Sequence, residues 1–194
     1  MTTISSMRTA DDAAAFAALN AEWIDAHFTM EAKDRETIAD PWRHYVDPGG
    51  DVLIARDGDG RAVGCVALEP VGDGVFELSK LAVAPDQRGR GTGRRLMDAA
   101  IARARELGAM RVFLGSNRRL VAAVRLYETS GFRHVPRERV GPLPYTRADV
   151  FMELDLAGDD PAGHRHEVAD RGSDHERVED LVEAEDARPR VRAL

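Results

Sequence analysis

With 194 residues, 43% of them hydrophobic and 31% charged, the chain suits one ordinary domain and excludes a collagen-like or wholly disordered polymer. No run approaches the ~18–20 apolar residues of a bilayer helix, and Met1–Ser6 has neither a basic n-region nor an apolar stretch, so neither a membrane span nor a secretory signal is read. The formal charge of −7 argues against a nucleic-acid partner, and the single cysteine, Cys65, excludes an intrachain disulfide and points to a reducing, cytoplasmic setting.

After a first strand, Thr9-Ala10-Asp11-Asp12 is set to cap a helix whose buried stripe is Phe16, Leu19 and Trp23. A more polar helix is predicted over 31–45, although Pro41 interrupts it. Asp47–Gly50 reads as a loop and Val52–Ala55 as a strand. Asp57-Gly58-Asp59-Gly60 then turns the chain into a second strand, Ala62–Leu68. Gly72-Asp73-Gly74 breaks the next pair, and Val75–Val83 is a strand closed by Pro85. A long helix is expected from Gly91 to Leu107, with Leu96, Met97, Ala100, Ile101 and Ala104 on one face and Gly108 as its stop. Arg111–Leu114 is a strand, Arg119–Ser130 a helix ended by Gly131, and Phe132–Val135 and Asp149–Leu156 the last strands, joined through Pro142 and Pro144. The sum is an α/β domain, a mixed sheet with helices on both faces.

The domain is expected to cover residues 1–158. Residues 159–194 hold eleven Asp/Glu against six Arg and no aromatic residue. They bury too little apolar surface to offset the entropy of ordering them, and read as an acidic, mostly disordered tail. Ser173-Asp174-His175-Glu176, ahead of Val178, Leu181 and Val182, allows one short helix within it.

Chemistry concentrates in Gln87-Arg88-Gly89-Arg90-Gly91-Thr92-Gly93, between a strand end and the start of the long helix. Three glycines let the backbone turn sharply and approach a ligand. Unpaired amides at the helix start, its dipole, and Arg88 and Arg90 together make a seat for phosphate. The loop lacks the Lys-Ser/Thr ending of a Walker A motif and the third glycine of a dinucleotide fingerprint, so neither ATP nor NAD is supported.

The segment Arg88–Gly93 resembles the Arg/Gln-x-x-Gly-x-Gly/Ala pyrophosphate loop of the GNAT acetyltransferase superfamily. The preceding strand, Glu77–Pro85, is similar to that family's central strand with its Val-x-Pro ending. Leu126-Tyr127-Glu128-Thr129-Ser130-Gly131-Phe132 is similar to its Leu-Tyr-Glu-x-x-Gly-Phe signature. The likeness covers about residues 4–156 and implies a mainly antiparallel sheet splayed between strands 4 and 5.

By this resemblance, acetyl-CoA is the co-substrate and no metal takes part. The main chain of Leu81, Ala82 and Val83 is expected to meet the pantetheine arm. Backbone amides from Arg88 through Gly89, Arg90, Gly91 and Thr92 to Gly93 are expected to meet the pyrophosphate. Asn117 faces the pantetheine or acyl site, and its type also suits a helix cap. Tyr127 is expected to protonate the leaving thiolate. Glu77, eleven residues before Arg88 and interrupting an apolar run, is the expected general base for a protonated amine. Glu69 is a secondary candidate for substrate contact. Cys65 lies where a small buried residue is expected, and His27, His44, His134 and the tail histidines show no metal spacing. The implied reaction is direct acetyl transfer to a small-molecule or peptide amine, the acceptor being selected by residues 10–45 and 136–147. Two rivals stand beside it: a non-catalytic acyl-CoA sensor, and a nucleotide-binding regulator using the same loop. Oligomeric state is open.

Overall fold

A computed structural model describes residues 2–140 and 146–157. The expected acidic tail, its short helix, and Pro142 and Pro144 lie outside those residues. Among the described residues, no helix is long and apolar enough to cross a membrane.

Among the described residues seven strands form one sheet: β1 (Thr3–Ser6), β2 (Asp51–Arg56), β3 (Ala62–Gly72), β4 (Val75–Val83), β5 (Arg111–Ser116), β6 (Arg133–His134) and β7 (Val150–Asp155), in the order β1-β2-β3-β4-β5-β7-β6. Every neighbouring pair is antiparallel except β4 and β5. That parallel pairing lasts only from Val75 to Glu77 against Arg111 to Phe113. Beyond Glu77 the two strands part, which is the expected splay.

The helices cover both faces. On one, α3 (Thr92–Glu106) buries Leu96, Met97, Ala100, Ile101 and Ala104 against Phe76, Leu78, Val112 and Leu114. On the other, α1 (Ala10–His27) buries Phe16 and Leu19 against Ile54, Cys65, Ala67 and Ala82. The period-2 alternation of β4 separates these sets, Phe76 and Leu78 pointing one way and Glu77 and Ser79 the other. Thr9 caps α1 as expected: its hydroxyl accepts from the Asp12 amide at 3.1 Å, and the Asp12 carboxylate accepts from the Thr9 amide at 3.0 Å.

Four expectations shift. The helix predicted over 31–45 is two pieces, α2 (Ala32–Ala39) and a π-helical turn over Trp42–Val46. Asp40, at φ −139°, has left the helix, as the ring of Pro41 requires of the residue before it. The long helix begins at Thr92, with Gly91 outside it at φ 81°. α4 spans Val121–Thr129, so Leu120 rather than Asn117 holds the cap position. The strand predicted over 132–135 narrows to two residues, and a turn of helix, α5 (Arg137–Val140), follows it.

One irregularity bears on the site. Ser79 is opposite Ala67 and Ala82 is opposite Cys65, so Lys80 and Leu81 together face Val66 alone. This is a β-bulge. Lys80 carries it at φ 55°, a left-handed conformation that costs a non-glycine residue roughly 1–2 kcal/mol.

Candidate active site

Where β4 and β5 part, a cavity of about 450 Å³ opens between α1 and α4. Its floor is β4 from Glu77 to Leu81. Ser116 and Asn117 close it on the β5 side, and Tyr127 reaches in from α4. Trp23, Ile24, His27 and Phe28 from the end of α1 form another wall, with Arg147 beside them.

Glu77 is 9% exposed and borders the cavity. Burial pushes its carboxyl up to about 7, and the charge of Glu69 adds to that shift. The strand register explains the second cause, since Glu69 is directly opposite Glu77 on β3. Burial raises Glu69 too. A carboxyl near 7 is divided between acid and base at neutral pH, which is where a proton acceptor works best.

Tyr127 is buried among Phe132 and the α3 face, its ring edge-on to Phe132 at 6.2 Å. Burial lifts its phenol to about 12, against a hydrogen bond with Ser116 that lowers it. The group therefore keeps its proton at neutral pH and presents an O–H donor. Asn117 caps the turn ahead of α4 and not the helix itself. Its Nδ2 donates to the carbonyl of Arg147 at 2.6 Å, and its Oδ1 accepts from the amide of Arg119 at 3.0 Å. It thereby pins the start of the α4 segment to residue 147.

The edge of β4 faces the opening unequally. The Ala84 amide donates to Val63 of β3 at 2.9 Å, so the amide and carbonyl of Val83, one residue earlier, point to the other edge. The Val83 carbonyl accepts from Nε of Arg88 at 3.0 Å, which brings that guanidinium to the cavity rim. Leu81 borders the cavity, whereas Ala82 does not: its side chain is buried in the α1-side core and it is registered to Cys65.

The glycine loop adjoins this edge. Gly89 and Gly91 are at φ 74° and 81°, and a Cβ on either would meet nothing within 4 Å. What selects glycine there is the backbone angle and not crowding. The amides of Gly89 to Arg94 make no well-formed hydrogen bond among the described residues, the first helical bond being Arg95 to Gly91 at 3.1 Å. Thr92 is 1% exposed, and its Oγ1 has no partner among the described residues. Weakly engaged donors at a helix start are what an anionic ligand needs.

The profile of the acetyltransferase (GNAT) family matches residues 16–132, more than half of the chain. The chain belongs to the GNAT acetyltransferase family. An uncharacterized N-acetyltransferase of Schizosaccharomyces pombe is 36% identical over 130 residues, covering 66% of this chain and 77% of that one. A GNAT-family acetyltransferase of Staphylococcus aureus shares the fold with a TM-score of 0.74 at 18% identity, over 80% of this chain and 99% of that one. A Salmonella typhimurium protein solved with its cofactor acetyl-CoA aligns with a TM-score of 0.61 at 26% identity, over 84% and 97% of the two chains.

Within this GNAT domain, three residues to which the sequence assigned no individual role stand at the site. Lys80 Nζ pairs with Asp34 Oδ1 at 2.6 Å, and Arg147 holds the same carboxylate through Nη1 at 2.7 Å and Nη2 at 2.9 Å. Burial alone would raise Asp34, but hydrogen bonds from Arg147 and Lys80 hold it down at about 2. The guanidinium of Arg147 also stacks over Phe28, 5.4 Å from its centroid.

Cys65 is fully buried, and burial pushes its thiol up to about 12. Asn20 Nδ2 approaches its sulfur at 3.3 Å. It is a packing residue of the GNAT core. A maleimide is therefore expected to label Cys65 only in denaturant; mass-spectrometric labelling of the native protein at the unfolded rate would contradict this.

Proposed function

We propose that the cleft between β4 and β5 transfers an acetyl group from acetyl-CoA to a primary amine, with both substrates bound together. The observation that carries this reading is the convergence of an unpaired strand edge, a buried carboxyl with a pKa of about 7 and a protonated phenol on one cavity.

The residues fit the co-substrate. The amides from Gly89 to Gly93 suit its diphosphate, with Arg88 and Arg90 adding charge, and the exposed main chain of Leu81 and Val83 suits the amides of the pantetheine arm. Asn117 orders the α4 side of the same opening. Bound acetyl-CoA supplies an acyl group on a good leaving thiol. The protein's part is orientation and proton handling. The Leu81 amide donates to the acyl oxygen, where negative charge develops. Glu77 takes the proton of the ammonium, directly or through water, and Tyr127 Oη gives one to the departing sulfur.

The acceptor enters from the α1 side, where Trp23, His27 and Phe28 face Glu77 across the cavity. It is a small-molecule or peptide amine. The single buried cysteine fits a reducing compartment. The direct test is release of coenzyme A thiol across a broad amine panel, with Glu77→Gln as control. Release by the native protein and not by the variant supports the reading; no release with any amine would favour a non-catalytic acyl-CoA sensor.

For Tyr127→Phe, kcat is expected to fall roughly ten-fold or more while acetyl-CoA affinity holds, in keeping with loss of a positioned acid. Single-turnover thiol release measures it, and an undiminished rate would reduce Tyr127 to a packing role.

A further inference from the structure

We propose that Asp34 is a positioning residue for acetyl transfer, holding Lys80 in the left-handed bulge of β4 and so aiming the Leu81 amide at the acyl group. This rests on the reading of the cleft given above and adds to it a part played by α2.

A non-glycine residue in the left-handed region persists only where its surroundings over-determine it. Lys80 is such a residue at φ 55°, and it lies on the stretch of β4 that β5 has left unpaired. One edge of support is therefore missing where the backbone is most strained. Support comes instead from the side chain. The Lys80 side chain is 5% exposed and ends on a carboxylate that is 0% exposed.

Asp34 is itself fixed. Arg147 grips both of its oxygens, and the Glu31 amide donates to Oδ2 at 3.1 Å. Arg147 reaches Glu31 as well, at 3.3 Å. The carboxylate is thus anchored from two directions, and the ammonium that meets it has little freedom left. Lys80 is drawn toward α2, and its backbone takes the conformation that allows this.

The consequence falls on the next peptide. The Lys80 carbonyl has turned out of the ladder and accepts from the Cys65 thiol at 3.6 Å. A peptide is planar and trans, so its amide hydrogen points opposite to its oxygen. The Leu81 N–H is therefore directed away from the α1 side, and Leu81 borders the cavity. Release of Lys80 removes the constraint that sets this direction. The same carboxylate joins α2, residue 147 and the catalytic strand, so the acceptor side and the acyl-oxygen donor share one support.

The test needs no acceptor. Acetyl-CoA carrying carbon-13 at the acetyl carbonyl is bound to the full chain, and its carbonyl stretch is read by isotope-edited infrared difference spectroscopy. In the native protein the band is expected below its frequency in water, because a donor polarises the carbonyl. In Asp34→Asn and in Lys80→Met that shift is expected to be lost, with the acetyl-CoA Kd changed by no more than about threefold. Lys80→Met guards against a folding failure in the other variant, since it leaves Asp34 paired with Arg147. A shift that persists in either folded variant overturns the role of Asp34. No shift in the native protein with the probe bound overturns instead the assignment of the Leu81 amide, so the two failures are told apart.

Discussion

Glu77→Gln is expected to lower kcat by roughly 10²-fold or more, the range in which a positioned base acts. The native kcat/KM is expected to rise with pH through about 7, as the carboxyl shifted up by burial and by Glu69 loses its proton. The variant has no such group, and its profile should lose that limb. The same substitution should stabilise the fold in alkali. The Glu77 carboxyl binds its proton more tightly folded, at about 7, than unfolded, at 4.5. Its contribution is therefore fully present below 4.5 and is lost as pH rises through 7. The loss amounts to about 3 kcal/mol at most, taking 1.36 kcal/mol per pKa unit. Glutamine has nothing to ionise. Urea melts should show Glu77→Gln more stable than the native chain at pH 8 and about equal to it at pH 4. A variant with undiminished turnover and no gain in alkaline stability would place the base elsewhere.

The second large effect is expected at the glycine loop. Replacing Gly89 and Gly91 together with alanine puts two Cβ groups on backbone angles of 74° and 81°. Each costs roughly 1–2 kcal/mol if the angle is kept. The loop relieves that cost by turning its peptides, and the amides then no longer converge. The acetyl-CoA Kd should rise roughly 10- to 100-fold, about 1.4 kcal/mol for each factor of ten. Gly60→Ala is the matched control. It too is at φ 81° with nothing within 4 Å, but it lies in the hairpin between β2 and β3. It should lose about as much stability as one of the two loop substitutions, and no affinity. Calorimetric titration of the two proteins separates a binding loop from a merely strained one, and equal affinities would remove the amides from the site.

How much of this was legible before the fold can be judged from particular residues. The periodicity of Leu96, Met97, Ala100, Ile101 and Ala104 named the buried face of α3 outright, because a helix of that length repeats its pattern four times. Glu77 was visible as a carboxylate inside an apolar run, and the weakly engaged amides followed from glycines at a helix start. The splay was not legible from periodicity at all. It came from resemblance, since nothing in the residues of β4 says where its partner stops.

The bulge escaped for a related reason. One extra residue in a nine-residue strand barely disturbs its alternation, and Lys80 reads as an ordinary solvated lysine. Asp34, Lys80 and Arg147 are separated by 46 and 113 positions, so only the tertiary fold brings them together. Residues on a short polar helix such as α2 look like a wet face until something is seen to cover them. The Glu69–Glu77 pairing was hidden in the same way: counting back from Gly72 opposite Val75 would set Glu69 against Leu78, and a register shift between Pro70 and Gly72 brings it to Glu77 instead.

Acetyl-CoA is expected to bind with its diphosphate on the amides of Gly89 to Gly93 and its pantetheine arm along the open edge of β4. Crystals grown or soaked with acetyl-CoA decide whether it does. Density is predicted for phosphate oxygens within hydrogen-bonding distance of those amides and for the thioester beside Leu81 and Tyr127. Acetyl-CoA ordered anywhere else on the chain, with the gap between β4 and β5 filled by protein side chains, would show that this edge is not its binding site.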